Sequence, residues 1–418
     1  MHGRTYVDRN DRLCDGKIMK KDNAKNQKAL DISGKRLFDI LYIISLITFT
    51  VFLILQPTGL QSEVIFQRGH DFLADFLNSV RHVAGGQPYL DGHIQPPLGF
   101  LLIAPFRYFA DFTLKLEALW KTPMAIFSAL LFVSISEVWL FFMLKKSLKK
   151  FSGFPVLLWL FLSGINIFAM ERGTVVIFSA GCIAGFLTYY DSEKKCERML
   201  SYFLLAAAFS LKLYPALFGL LLLKRRDYKG ALYSMLFGIL LTFPMFLFFD
   251  GGFDNIPVLW ENLHKYRGDR LFQVSDFKII HIFTPMGINA QHKAVFDIIR
   301  RVVDGITILC CAAVFFSRKD EKLIFNIACL LILCPLGAGI YTMLYLAVPF
   351  LKVYQNDNCR NFVTLCWVIL LTPLRFEIPS NDFLCPFLLV VLLIYNVYEQ
   401  IKQRDFVFLS GITPKRSA

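Results

Sequence analysis

Asp71 and Asp75 stand one helical turn apart and continue through Asn78 and His82 along one helical stripe, at i, i+4, i+7 and i+11. Phe72, Phe76, Ser79 and Val83 form a neighbouring, mostly apolar stripe. That division predicts an amphipathic helix over 71–83, lying on a membrane surface with its apolar side in lipid. Acidic side chains beside a bilayer are costly unless they bind or catalyse something. Three more polar groups interrupt otherwise apolar sequence: Glu171-Arg172-Gly173, Lys212-Leu213-Tyr214-Pro215, and the stretch from Pro335 to Tyr341. A carboxylate can take the proton of an attacking hydroxyl, while Arg and Lys hold an anionic leaving group such as phosphate.

Each residue also has a plainer reading. Arg172 can anchor a helix end and snorkel to the interface. Asp71 and Asp75 can be solvated surface charges. Lys212 resists dismissal, because its basic neighbours sit at the far ends of its segment. Glu137, in the middle of an apolar run, is best read as hydrogen-bonded to a neighbouring helix. His264, His281 and His292 lack metal-ligand spacing. Lys265, Arg267 and Arg270, near Trp260 and Tyr266, suit lipid headgroups or a glycan.

The elements that must position these groups follow from composition. Of 418 residues, 56% are hydrophobic, 18% are charged and 43 are Phe, with a mean hydropathy of +0.51. Apolar runs long enough to cross a bilayer recur, so the fold class is an all-α polytopic membrane protein. The net charge of +13 gathers in the 1–36 tail and in short clusters between apolar runs. It is a topology signal and excludes a nucleic-acid partner. Ten cysteines are scattered without a CxxC or Cys/His cluster, which excludes a zinc site and a disulfide framework. No signal peptide is visible, and no Asn-x-Ser/Thr sequon occurs, which favours a bacterial inner membrane.

Placing every basic cluster inside predicts about twelve spans over 37–401, with both termini (1–36 and 402–418) cytoplasmic. Two long outer segments result, 56–120 and 250–301. Within the first, the apolar piece between Pro97 and Pro105 is too short to cross and is read as interfacial or re-entrant. The run 199–223 breaks into two short helices at Lys212 and Pro215.

The order of these motifs carries a resemblance. It runs from the outer Asp-Phe helix through Gly86-Gln87-Pro88-Tyr89, Pro96-Pro97-Leu98, Glu171-Arg172-Gly173 and Lys212-Leu213-Tyr214-Pro215 to the loop Lys224-Arg225-Arg226. It resembles the GT-C superfamily of integral membrane glycosyltransferases, and most of all glycosyltransferase family 87, the polyprenyl-phosphate-mannose-dependent mannosyltransferase group. The similarity covers most of 65–255, with a weaker echo at Pro335 to Tyr341. It implies transfer of a sugar, mannose by default, from a polyprenyl-phosphate donor to a lipid-linked or glycan acceptor on the non-cytoplasmic face.

By the same resemblance an outer-loop Asp is the general base. Asp75, heading Asp75-Phe76-Leu77-Asn78-Ser79, fits one branch and Asp71, eighteen residues before Tyr89, fits another; by resemblance the Asp75 context tips the choice to Asp75. Arg172 and Lys212 would hold the donor phosphate, with Glu171, Asn78, Tyr89, Tyr214 and Tyr341 toward substrate. The chain departs from the family at Gln95-Pro96-Pro97, where relatives often read Tyr-Pro-Pro, and at Thr174, where relatives commonly carry Asn. No nucleotide-binding loop or Asp-x-Asp pair is visible, in keeping with a lipid donor. No cofactor is required by the motifs, and a divalent metal on the phosphate is left open. Two rivals stand beside this reading. A flippase or transporter of lipid-linked sugar would need the same basic cavity but no catalytic base, and the lack of repeat halves counts against it. An O-antigen-type polymerase is also a membrane enzyme with large outer loops and arginines, and the Asp helix directly after the first span counts against it.

Overall fold

The computed structural model describes residues 34–55, 72–90, 92–148, 154–269, 293–334, 340–354, 361–374 and 381–403. Asp71, the terminal tails, His281, His292, Arg270 and the Pro335–Gly339 break lie outside them. The described residues form helices and turns, with no strand among them. In chain order the helices are α1 (Gly34–Leu55), α2 (Ala74–Ala84), α3 (Pro97–Ile103), α4 (Leu116–Leu119), α5 (Pro123–Ser147), α6 (Phe154–Phe161), α7 (Gly164–Arg172), α8 (Val176–Tyr189) and α9 (Lys195–Leu211). After these come α10 (Leu220–Lys224), α11 (Tyr228–Thr242), α12 (Asn255–Asp269), α13 (Lys293–Phe315), α14 (Asp320–Leu333), α15 (Ala347–Tyr354), α16 (Asn361–Leu371) and α17 (Asn381–Lys402). Short 3-10 turns over Ala104–Tyr108, Tyr214–Gly219, Pro244–Phe248 and Ile340–Leu346 join several of them.

Four helices among the described residues are long and apolar enough to cross a membrane: Gly34–Leu55, Pro123–Ser147, Tyr228–Phe248 and Leu384–Lys402. The bent pair α6–α7 makes a fifth if it counts as one span. This falls short of the twelve expected from sequence, because most of the other apolar runs are cut into pieces of one to four turns. The cuts are chemical. Pro105 and Pro215 each sit at the start of a 3-10 turn, where the missing N–H and the ring end the helix before it. The apolar run 154–170, which the sequence reads as one span, instead bends by 49°, where Ser163 caps a fresh helix by accepting from Asn166 N.

A main core is built around α8, which is buried along nearly its whole length between α5 and α9. Gly181 and Gly185 make that possible: a Cβ on Gly181 would fall 2.4 Å from Trp139, and one on Gly185 2.6 Å from Leu204. The outer surface is apolar. Along α1, Ile40, Ile43, Ile44, Ile47, Val51 and Ile54 are all exposed, the face a lipid-contacting helix presents.

A second, smaller core gathers the outer segments on top of the bundle. The apolar face of α2 is buried in protein and does not lie in lipid as its amphipathic pattern suggested. Phe76 packs on Phe106 and Phe132 with centroids 5.4 and 5.2 Å apart, and Leu77 and Val80 are fully buried. The two outer segments also join each other. Asp250 N donates to Gly86 O at 3.0 Å, and Asn262 Nδ2 donates to the carbonyls of Tyr89 and His93 at 2.7 and 3.2 Å. Helix α3, only seven residues long, packs between α2 and α9.

Candidate active site

The site forms where α2 is fastened to the end of α7. A helix C-terminus leaves carbonyls without partners, and Leu73 N takes one of them, donating to Glu171 O at 2.6 Å. Gly173 closes α7 in the left-handed conformation, φ 63°, with its N–H on Met170 O. It also lets α2 come close, since a Cβ there would sit 2.9 Å from Phe76 Cβ. Trp120 Nε1 holds the entry of α2 from the other side, donating to Phe72 O at 2.6 Å.

This fastening brings Asp75 to Arg172. The guanidinium donates through Nη2 and Nε to Asp75 Oδ1, at 2.6 and 3.1 Å. The two side chains keep 25% and 22% of their surface exposed, so the pair is reachable from outside. Lys212 lies within electrostatic reach of both. It caps α9 in extended conformation, φ −147° and ψ 133°, with its N–H on Ala208 O. Pro215 keeps the helix from resuming. Tyr214 lies within reach of Asp75, Tyr341 and Tyr345, packing edge-on to Tyr345 at 5.8 Å. Tyr341 stacks on Phe168 of α7 at 6.2 Å.

The structure therefore gathers Asp75, Arg172, Lys212, Tyr214 and Tyr341 around one point. Asn78, one turn on from Asp75, is half-buried on the same helix. Glu171 is turned inward and buried. Tyr89 has different surroundings: it is fully buried among Phe100, Phe246 and Phe249, and burial pushes its phenol well above the usual tyrosine range. The stripe drawn from Asp71 does not survive as one helix. Helix α2 begins only at Ala74, after Leu73 at φ 55°, and Asp71 lies outside the described residues. At the far end of the stripe His82 is buried against His93, ring centroids 4.0 Å apart.

Sequence reading missed Tyr345 and Ser179. Tyr345 Oη donates to Ser179 Oγ at 2.8 Å, and Ser179 Oγ donates to Ala208 O at 3.1 Å, the carbonyl that also receives Lys212 N. The signal was the spacing of Tyr341 and Tyr345, one helical turn. Among the described residues no group of three or more His, Cys, Asp or Glu is gathered to hold a metal, and no step below uses one.

The model of Glycosyltransferase family 87 matches residues 94–336, more than half of the chain, including Arg172, Lys212 and Tyr214. The chain belongs to glycosyltransferase family 87. No curated protein and no solved structure matches it. In this family 87 chain the matched segment starts downstream of Asp75, so geometry, and not the match, ties the acidic helix to Arg172. Membership makes the chain a membrane glycosyltransferase with a sugar donor and an acceptor. The candidate site stands at the opposite end of α9 from Lys195 and Arg198. The 17 residues of α9 put roughly 25 Å between Lys195 and Lys212.

Proposed function

We propose that this transferase moves a hexose, mannose by default, from a polyprenyl-phosphate donor to a lipid-linked or glycan acceptor. The observation that carries the reading is the Arg172 guanidinium on Asp75 Oδ1 with Lys212 within electrostatic reach of both. In the resting enzyme the guanidinium occupies the oxygen that would receive the acceptor's proton. A donor phosphate is a better bidentate partner for Arg and, with Lys212, draws it away. Asp75 is then free to act.

The acceptor hydroxyl oxygen attacks the anomeric carbon, and its proton passes to the Asp75 carboxylate. The bond from that carbon to the phosphate oxygen breaks. Its electron pair leaves on the phosphate, whose charge Arg172 and Lys212 stabilise. Tyr214 and Tyr341 offer hydroxyls and ring faces to the sugar.

The same geometry supports the face. Lys145 and Lys146 close α5, Lys195 and Arg198 open α9, and the Lys224–Arg226 turn follows α10, all at the end away from Asp75. With the basic end cytoplasmic, the site works on the non-cytoplasmic side of a bacterial inner membrane. Twelve crossings, some of them broken helices, satisfy all the basic clusters. The purified chain should consume synthetic polyprenyl-phosphate mannose and leave a nucleotide-activated mannose untouched. Turnover of the nucleotide sugar with the lipid donor inert would overturn the donor assignment.

A further inference from the structure

A second polar cleft lies away from the active site, between α14, α15, α16 and α17. Its walls include Glu321, Lys322, Phe325, Lys352, Trp367 and Asn396, around a cavity of about 160 Å³. On the same measure one water needs about 10–15 Å³, so the cavity has room for a phosphate group. Lys322 comes from the first turn of α14 with its Nζ buried, and Lys352 from the last turn of α15. Two lysines on separate helices thus line one cavity, and Glu321 is the one carboxylate among its described lining residues. A narrower cleft continues from it across Val353 and Trp367 and adds a third cation, Lys35, whose Nζ sits 5.1 Å over the Tyr354 ring. The nearest acid of that neighbour, Asp39, is taken up by Tyr354 Oη and Trp159 Nε1 at 2.7 and 2.9 Å.

The remaining walls are apolar. Phe325 and Phe350 pack on Trp367, and Phe362 and Leu365 of α16 are exposed beside the cleft. Cations at one end of an apolar slot between membrane helices match a phosphate headgroup with its chains, and not a free ion alone. We propose that this cleft binds the phosphate of an anionic lipid from the leaflet on the basic side of the molecule. Lys322 and Lys352 are the headgroup contacts, and Trp367 and Phe325 line the chains. Both lysines also interact within the protein, and an ammonium has three donors to share. The cleft is separate from the reaction site: Tyr345 precedes α15, and Lys352 is at the other end of that helix.

The full chain in nanodiscs, with phosphatidylcholine alone or with added phosphatidylglycerol, tests this by lipid retention in native mass spectrometry. The wild type should keep phosphatidylglycerol, and Lys322→Gln/Lys352→Gln should hold it about tenfold less well or worse. Lys194→Gln/Lys195→Gln removes equal charge at an exposed turn and should retain lipid like wild type. Val363→Trp plugs the cleft with both lysines intact and should also lose the lipid, covering the case in which the double variant does not fold. Equal retention in wild type, plugged and double variants overturns the site. Inorganic phosphate displacing the lipid, with thermal protection lost in the same variants, supports the anion site and assigns it a soluble source as well.

Discussion

Asp75 and Arg172 are 97 residues apart in the chain and 2.6 Å apart in space. Helix periodicity alone left Asp71 and Asp75 equivalent, because an unbroken helix would have put both on one face, and only the family resemblance tipped the choice to Asp75. Helix α2 starts after a left-handed Leu73, and a leucine gives no warning of that break, since positive φ is expected of glycine or asparagine. Asp75→Asn keeps size and hydrogen bonding but cannot take a proton. It should lower turnover by about 10² to 10⁴ with donor binding intact, whereas Asp71→Asn should stay near wild type. A dead Asp71→Asn with an active Asp75→Asn would move the base out of this site. Arg172→Ala and Lys212→Ala should each cost about 10² to 10³ in rate at normal expression. Wild-type transfer by purified Lys212→Ala would remove it from the leaving-group role.

At the level of elements, punctuation was legible and destination was not. Gly173 after Arg172, and Pro215 three residues after Lys212, announce where α7 and α9 stop. Both breaks fall where those residues require. The partner of the α2 apolar face was not legible, because a stripe of Phe, Leu and Val is the same whether lipid or Phe106 and Phe132 will cover it. The bend at Ser163 carries no proline and passed for continuous helix. The joint between α2 and α7 hangs on Gly173, which combines a positive φ with a Cβ position 2.9 Å from Phe76. Gly173→Ala should destabilise the protein by about 1–3 kcal/mol, read as a lower midpoint of thermal unfolding in detergent. It should also slow transfer, because α2 must back away and carry Asp75 with it. Unchanged turnover would show that the Asp75–Arg172 distance is not critical.

For the whole molecule, the two ends of the bundle have different work, and the basic end is held by its own ion network. Asp320, at the start of α14 outside its apolar stretch, binds Lys224 Nζ at 3.0 Å and Arg225 Nη2 at 2.6 Å, and Tyr190 Oη donates to it at 2.9 Å. Arg225 also pairs with Asp191. Three helices are tied there, those ending at Tyr189 and Lys224 and the one beginning at Asp320. Burial pushes the Asp320 carboxyl up, but the Lys224 hydrogen bond and the Arg225 charge outweigh it and hold it below the usual carboxylate range. A carboxyl depressed in the folded state contributes its stability above the unfolded value and loses it as pH falls through the folded one. Asp320→Asn, which leaves two cations facing a neutral amide, should therefore cost about 1–3 kcal/mol at neutral pH. The gap between variant and wild-type unfolding midpoints should close only in acid below the ordinary carboxylate range. Turnover in the folded variant should change little, since the network lies a helix length from Asp75. A gap that stays constant from neutral pH into strong acid would mean that packing, and not the charge on Asp320, joins these helices.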